Sequence, residues 1–441
     1  MKLEIKNFGK IKEAHLNIDG ITVITGPNNS GKSTIGKVLY SIFNSLYNID
    51  KNIKERRSYE IQSICEQAIP NSLMFGKSDE MSVSHFSLIS KNGASSELVK
   101  MILEVPNELF SENSLEKIFL LYYQKQGIEL QEDILQEMID MSFERIRARK
   151  EVSNQKFASE LVERFFKQIF LGKMNCLNEA NTLAELELQI KEKKLTIQFK
   201  ENKCSFLVSE LNILHEAFFI DDPFIIDYLS SPYAMFVSQL NAVHGKIMER
   251  ILESRSNIMD GIFDAVDAKK NLEQIEEVLN KVTDGHISLK NGEWVLEVEN
   301  FSEPIPLGNL SAGLKSFIIL KILLERGILK EKDVLILDEP EIHLHPEWQV
   351  QYAEIVVLLQ KIFELSIVVT THSPLFLESL EYYSKKYKIE DKCNYYLAKD
   401  DNNIVNFENV TDKIEEIYKQ MVMPSVNLDK LKYEMECEED E

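Results

Sequence analysis

The chain opens on short alternating segments. "KLEIKNF" and "AHLNI" alternate apolar and polar residues with the period of two expected of half-buried strands, and "ITVIT" reads as a fully buried strand. "GPNNSGKST" and the amphipathic "IGKVLYSIFNSLYN" follow, so strand, loop and helix are predicted in succession. "SHFSLIS" and "SELVKMILEV" read as a further pair of strands. From about Pro106 to Lys194 the pattern changes to helical spacing with dense charge, as in "LQEDILQEMIDMSFERIRARK". Strands are predicted again at "LTIQFK", "CSFLVSEL" and "AFFI". A second helical stretch runs from about Met235 to Val282, where Val237, Leu240, Val243, Ile247 and Ile251 keep i, i+3/i+4 spacing. "ISLKNGEWVLEVENF" predicts a hairpin around Asn291-Gly292. Beyond it, "SAGLKSFIILKILLERG", "DVLILDEP", "WQVQYAEIVVLLQKI" and "LSIVVTTHSP" alternate helix and strand.

That alternation predicts an α/β fold, a mixed or parallel sheet with helices on both faces plus an antiparallel lobe, interrupted by two helical insertions. The expected divisions are an N-terminal lobe (1–105), a helical insertion (106–194), core strands (195–234), a second helical insertion (235–285), a C-terminal lobe (286–415) and an acidic tail (416–441).

Composition narrows the function classes. With 50 Lys+Arg against 72 Asp+Glu, the net charge of −22 argues against a broad duplex-DNA or anionic-membrane footprint. Cys65, Cys176, Cys204, Cys393 and Cys437 stand singly, without a C-x-x-C pair, which disfavours a zinc ribbon or a disulfide framework. The charges in "KLEIKNFGKI" do not fit a secretory leader, and no apolar run approaches the roughly 20 residues that span a bilayer. The expected location is cytoplasmic, away from membranes. "FERIRARK" is expected to form a solvated helix face, with nucleic-acid or partner contact as the alternative. "YEMECEEDE" is expected to be a disordered tail, with a partner-docking peptide anchored by Tyr433 and Met435 as the alternative.

The candidate chemistry starts with Gly26, Pro27, Asn28, Asn29, Ser30, Gly31, Lys32, Ser33 and Thr34, which fit the phosphate loop G-x-x-x-x-G-K-[ST]. Its glycines let backbone N–H groups face phosphates, and the following helix N-terminus adds positive potential. Lys32 is expected to reach the β/γ-phosphates and Ser33 to ligate Mg²⁺. The second element is "LILDEPEIHLHPEWQ", where a buried strand ends in Asp338-Glu339. Asp338 suits Mg²⁺ and Glu339 the polarisation of an attacking water. The His343-x-His345 alternation also fits a transition-metal site, but no third soft ligand is visible nearby.

Two further segments carry a family resemblance. "NLSAGLKS" resembles the signature loop of ABC-type ATPases, and Thr370-Thr371-His372-Ser373-Pro374 their switch-histidine loop. With four elements in order, the chain resembles the ABC-type AAA ATPases of the SMC, break-repair and OLD superfamily. "LSAGLKSF…LDEPEIHLHPEWQ…THSP" is similar to the short ATPases of prokaryotic anti-phage systems of PARIS or Septu type. The resemblance implies an ABC-type P-loop NTPase head that hydrolyses ATP with Mg²⁺ and Glu339 and His372 as catalytic residues. It also implies a homodimer or higher homo-oligomer in which Ser311 and Gly313 of one copy complete the ATP sandwich of another. A separately encoded effector of nuclease type and a phage-derived trigger are expected partners, with no intrinsic nuclease and nucleic-acid binding left open. A DNA-repair or DNA-handling ATPase is the alternative. No Q-loop glutamine is evident, and the Asp221-Asp222-Pro223 corner is the candidate in its place.

Overall fold

The computed structural model describes residues 1–69, 96–177, 181–231, 243–253, 274–401 and 404–439. The predicted strand "SHFSLIS" and the positions Val237 and Leu240 lie outside them. The chain forms two compact units, Met1–Tyr47 with Leu161–Glu441, and Asn48–Glu160.

The first unit is built on an eleven-stranded sheet of order β6-β5-β4-β1-β2-β14-β13-β3-β12-β11-β7. Its strands are β1 (Lys2–Phe8), β2 (Ile11–Asn17), β3 (Ile21–Thr25), β4 (Ala184–Ile190), β5 (Lys193–Lys200), β6 (Lys203–Ser209), β7 (Ala217–Ile220), β11 (Val334–Asp338), β12 (Ser366–Thr370), β13 (Cys393–Asp401) and β14 (Ile404–Asn409). From β13 to β7 all neighbours pair in parallel. Strands β3, β7, β11 and β12 are apolar on both faces, and every residue of β3 and β7 is buried. Strands β1, β2, β4, β5 and β6 pair antiparallel, and burial alternates along β1, β4 and β5, the sign of one covered face. The hairpin of β8 (His286–Lys290) and β9 (Glu293–Glu297) joins β10 (Ile305–Pro306) in a separate sheet. Asn291 and Gly292 have φ of 51° and 84°, as a two-residue type I′ turn requires.

Helix α1 (Lys32–Leu46) follows β3 and packs on the sheet at Gly36, where a Cβ would meet Ile336 Cγ2 at 2.7 Å. The second unit contains α2 (Ile49–Gln67), α3 (Ser96–Glu104), α4 (Glu112–Lys125) and α5 (Glu132–Glu151) around one core that includes Ile61, Leu98, Ile102, Phe119 and Ile139. Helix α6 (Asn154–Ile169) comes next in the chain. The first unit also has α7 (Gly245–Glu253), α8 (Ala312–Glu325), α9 (Pro346–Phe363), α10 (Pro374–Lys386) and α11 (Glu415–Glu439).

Three expectations are corrected. "SELVKMILEV" is largely helix α3, because Leu98, Val99 and Ile102 share one helical face and are buried together. The helical segment therefore opens at α2, ahead of the division at 105/106, and it closes before 194, since "AELELQI" alternates and buries Ala184, Leu186 and Leu188 as strand β4. Through Glu439 the C-terminal segment is helical rather than disordered. It is rich in Glu, Lys, Met and Leu, all strong helix formers, and its Ile417 is fully buried at the root.

Candidate active site

Four parallel strands, β3, β12, β11 and β7, end at one edge of the sheet, so residues distant in sequence leave it side by side. Strand β3 leads into Gly26, β12 into Thr371-His372, β11 into Glu339 and β7 into Asp221. Ligands of open α/β sheets bind at such edges.

The loop after β3 needs its glycine. Gly26 has φ of 143°, and a Cβ there would lie 2.6 Å from Ala398 Cβ. Asn29 (φ 63°) and Gly31 (φ 80°) turn the backbone so that α1 begins at Lys32. Lys32 is only 4% exposed. Its Nζ donates to the carbonyls of Gly26 (3.2 Å) and Pro27 (3.0 Å) and lies 4.0 Å from Glu339 Oε1. Burial pulls the ammonium below its usual range, against Glu339, Asp338 and Glu341, which favour its charge.

Ser33 Oγ donates to Asp338 Oδ1 at 3.1 Å, and Thr370 Oγ1 donates to the same oxygen at 2.5 Å. Burial raises the Asp338 carboxyl above its usual range despite those two bonds, and the charges of Asp221 and Glu339 push it the same way. Glu339 has φ of 52°, uncommon outside glycine, and its N–H donates to Thr370 Oγ1 (3.0 Å) and Thr370 O (3.1 Å). His372 Nε2 lies 3.1 Å from Glu339 Oε1. Burial, and after it Lys32, lowers the imidazole below the ordinary histidine value, which favours its neutral form.

The donor set fits a nucleotide phosphate with a hard divalent ion. Ser30 Oγ is buried and has no hydrogen-bonding partner among the described residues, beside a buried lysine and a glycine cradle. Ser33 Oγ and Asp338 Oδ1 are hard oxygen ligands 3.1 Å apart. Among the described residues no group of three His, Cys, Asp or Glu forms a metal cage, so such an ion would take its remaining oxygens from the phosphates and water.

Lys32, Ser33, Asp338, Glu339 and His372 thus form one cluster. Ser311 and Gly313 have other neighbours. Exposed Ser311 caps α8 by accepting from Leu314 N (3.4 Å), while a Cβ on Gly313 would lie 2.8 Å from His343 O and 3.1 Å from the Trp348 ring. The two histidines of the "HLH" stretch have local roles. His343 stacks edge-on with Phe224, ring centroids 5.7 Å apart, and His345 Nδ1 accepts from Glu347 N at the start of α9. Asp221 contacts His244 Nε2 just ahead of α7.

Sequence reading did not single out the hydroxyls of Thr370 and Thr371, which bind Asp338 and Glu341. Their signal was two hydroxyl residues closing an otherwise apolar strand. In the second unit the basic run is largely engaged locally. Arg145 donates to Gln67, Arg147 pairs with Glu151, Arg149 with Glu60, and Lys150 Nζ is buried against the carbonyls of Ile102 and Val105.

The protein family described as AAA ATPase domain matches residues 1–377. Among solved structures, the chain is similar to an SMC head bound to the C-terminal winged-helix domain of ScpA, at 12% identity and a TM-score of 0.44, covering 92% of this chain and 97% of that one. It is also similar to the SMC head domain from Thermotoga maritima, at 12% identity and a TM-score of 0.37, covering 93% and 98%. A third is the SMC head of Pyrococcus furiosus with an extended coiled coil and bound ScpA C-terminal domain, at 12% identity and a TM-score of 0.39, covering 95% and 98%.

Proposed function

This chain belongs to the AAA ATPase domain family, and we propose that it is an ATP-hydrolysing switch whose nucleotide lies between two copies of the chain. The observation that carries the reading is the convergence of Lys32, Ser33, Asp338, Glu339 and His372 at one sheet edge. Lys32 meets the β/γ-phosphates of ATP. Ser33 and Asp338 hold Mg²⁺, which when bound neutralises phosphate charge. Glu339 takes the proton of the attacking water, and the neutral His372 beside it holds the water or the γ-phosphate by hydrogen bonding. Ser311 and Gly313, which lie against Leu314, His343 and Trp348 in their own chain, contact the nucleotide of the second copy. Binding of ATP closes that interface and hydrolysis opens it.

The finer reading is a cytoplasmic sensor or scaffold in anti-phage defence that controls a separately encoded effector of nuclease type. The sequence resemblance to stand-alone defence ATPases supports it. So does the unit Asn48–Glu160, a helical body with its own core inserted directly after α1. Helix faces of this kind are common docking surfaces. The test is recovery of the tagged protein from its host, with a phage-plating assay alongside. The expected result is co-purification of a neighbouring gene's product in amounts that differ between wild type and Glu339→Gln. A partner set that is the same in both forms, with loss of DNA-repair capacity on deletion, would overturn the defence reading in favour of DNA handling.

A further inference from the structure

The buried carboxylate of Glu341 belongs to the same turn as Asp338 and Glu339, but it bonds to the histidine loop, whereas Ser33 bonds to Asp338. Its Oε1 accepts from Thr371 Oγ1 at 2.7 Å and from the backbone N–H of His372 at 2.8 Å. Its Oε2 is buried without a partner among the described residues, and the residue is 6% exposed. Thr371 Oγ1 in turn accepts from Ser373 N at 3.0 Å, and Ser373 Oγ donates to Gln349 Oε1 at 2.7 Å while capping α10 at Phe376 N. The histidine loop is therefore fastened on both sides of His372, and the carboxylate touching His372's own peptide is Glu341. Consecutive threonines divide the task. Thr370 binds Asp338, whereas Thr371 binds Glu341.

We propose that Glu341 is a positioning residue that fixes the His372 loop so that the imidazole stays against Glu339. The claim rests on the ATPase reading of this site. A side chain that held only the fold would lower stability and nucleotide binding together. One that acts through His372 lowers turnover and spares binding, because Lys32 and Ser33 are held by other bonds.

The experiment measures ATP affinity, kcat and KM for full-length wild type, Glu341→Leu, Glu341→Gln, Thr371→Val, His372→Ala and the double variant Glu341→Leu/His372→Ala. An ångström of misplacement at a reacting group costs about 10²-fold in rate, so kcat of Glu341→Leu should fall to that extent with ATP affinity within about threefold. Glu341→Gln keeps the Oε1 acceptor and should stay within about tenfold of wild type. Adding Glu341→Leu to His372→Ala should cost little more, since the residue through which it acts is already gone. If the leucine variant fails to fold, Thr371→Val tests the same link from the other end, with a smaller loss of the same kind. Losses that multiply in the double variant, or unchanged kcat in Glu341→Leu and Thr371→Val while His372→Ala is impaired, would overturn the assignment. Absence of ATPase activity in the wild type would instead overturn the functional reading beneath it.

Discussion

Lys32→Ala should remove ATP binding, the largest effect of any single substitution in this protein. The ammonium is buried, lies 4.0 Å from Glu339 Oε1, and its charge is also favoured by Asp338. Truncating one partner of a buried charge pair costs about 2–5 kcal/mol or more, roughly 30- to several thousand-fold in affinity. Here the loss is compounded. Asp338 and Glu339 are left facing a polyanionic ligand, and the α1 N-terminus alone offers only a partial positive charge to oppose them. Isothermal titration with ATP and Mg²⁺ reads the affinity, with the melting temperature in the absence of nucleotide as the control for folding. Affinity within tenfold of wild type would mean that Lys32 does not meet the phosphates.

Glu339→Gln should act on turnover and leave binding intact. The amide keeps the shape of the side chain and its place beside His372, but it cannot take a proton from water. General-base catalysis contributes about 10²–10⁴-fold, so kcat should fall by that much. One negative charge near Lys32 also disappears, so ATP affinity should hold or improve. The combination predicts accumulation of an ATP-bound dimer, seen as a shift in mass by size-exclusion chromatography with light scattering. Hydrolysis at the wild-type rate would remove Glu339 from the role of base.

Much of the candidate site was legible in the sequence because its chemistry is concentrated in short stretches. The loop Gly26–Ser33 and the pair Asp338-Glu339 each follow an apolar run, and a buried parallel strand delivers whatever comes next to the same sheet edge. The second ring of residues was harder to read. Thr370, Thr371 and Glu341 find one another only when β11 and β12 pair in register, Asp338 opposite Thr370, and that pairing has no local signal. Similar limits explain the fold errors. "SELVKMILEV" carries enough Val, Leu and Ile to read as a strand, and its burial against Ile61 and Phe119 is what decides for a helix. "AELELQI" has Glu and Leu, which favour helices, but pairing with β1 and β5 overrides that preference. The acidic C-terminal stretch was misread because charge density says little about backbone when the residues are helix formers.

The proposed composite site between two copies is tested most directly by mixing two inactive variants. Gly313 is a poor position for one of them, since any side chain there would press on His343 O and Trp348. Ser311→Asp is better, because Asp retains the helix cap and brings a negative charge to the face proposed to meet phosphate. Each variant alone should be inactive, Lys32→Ala for want of ATP binding and Ser311→Asp for want of a signature loop. An equal mixture gives half its dimers as hybrids, each with one intact site of two, so about a quarter of the wild-type rate should return. No activity above the sum of the two variants, with hybrids demonstrated by differential tagging, would contradict the account.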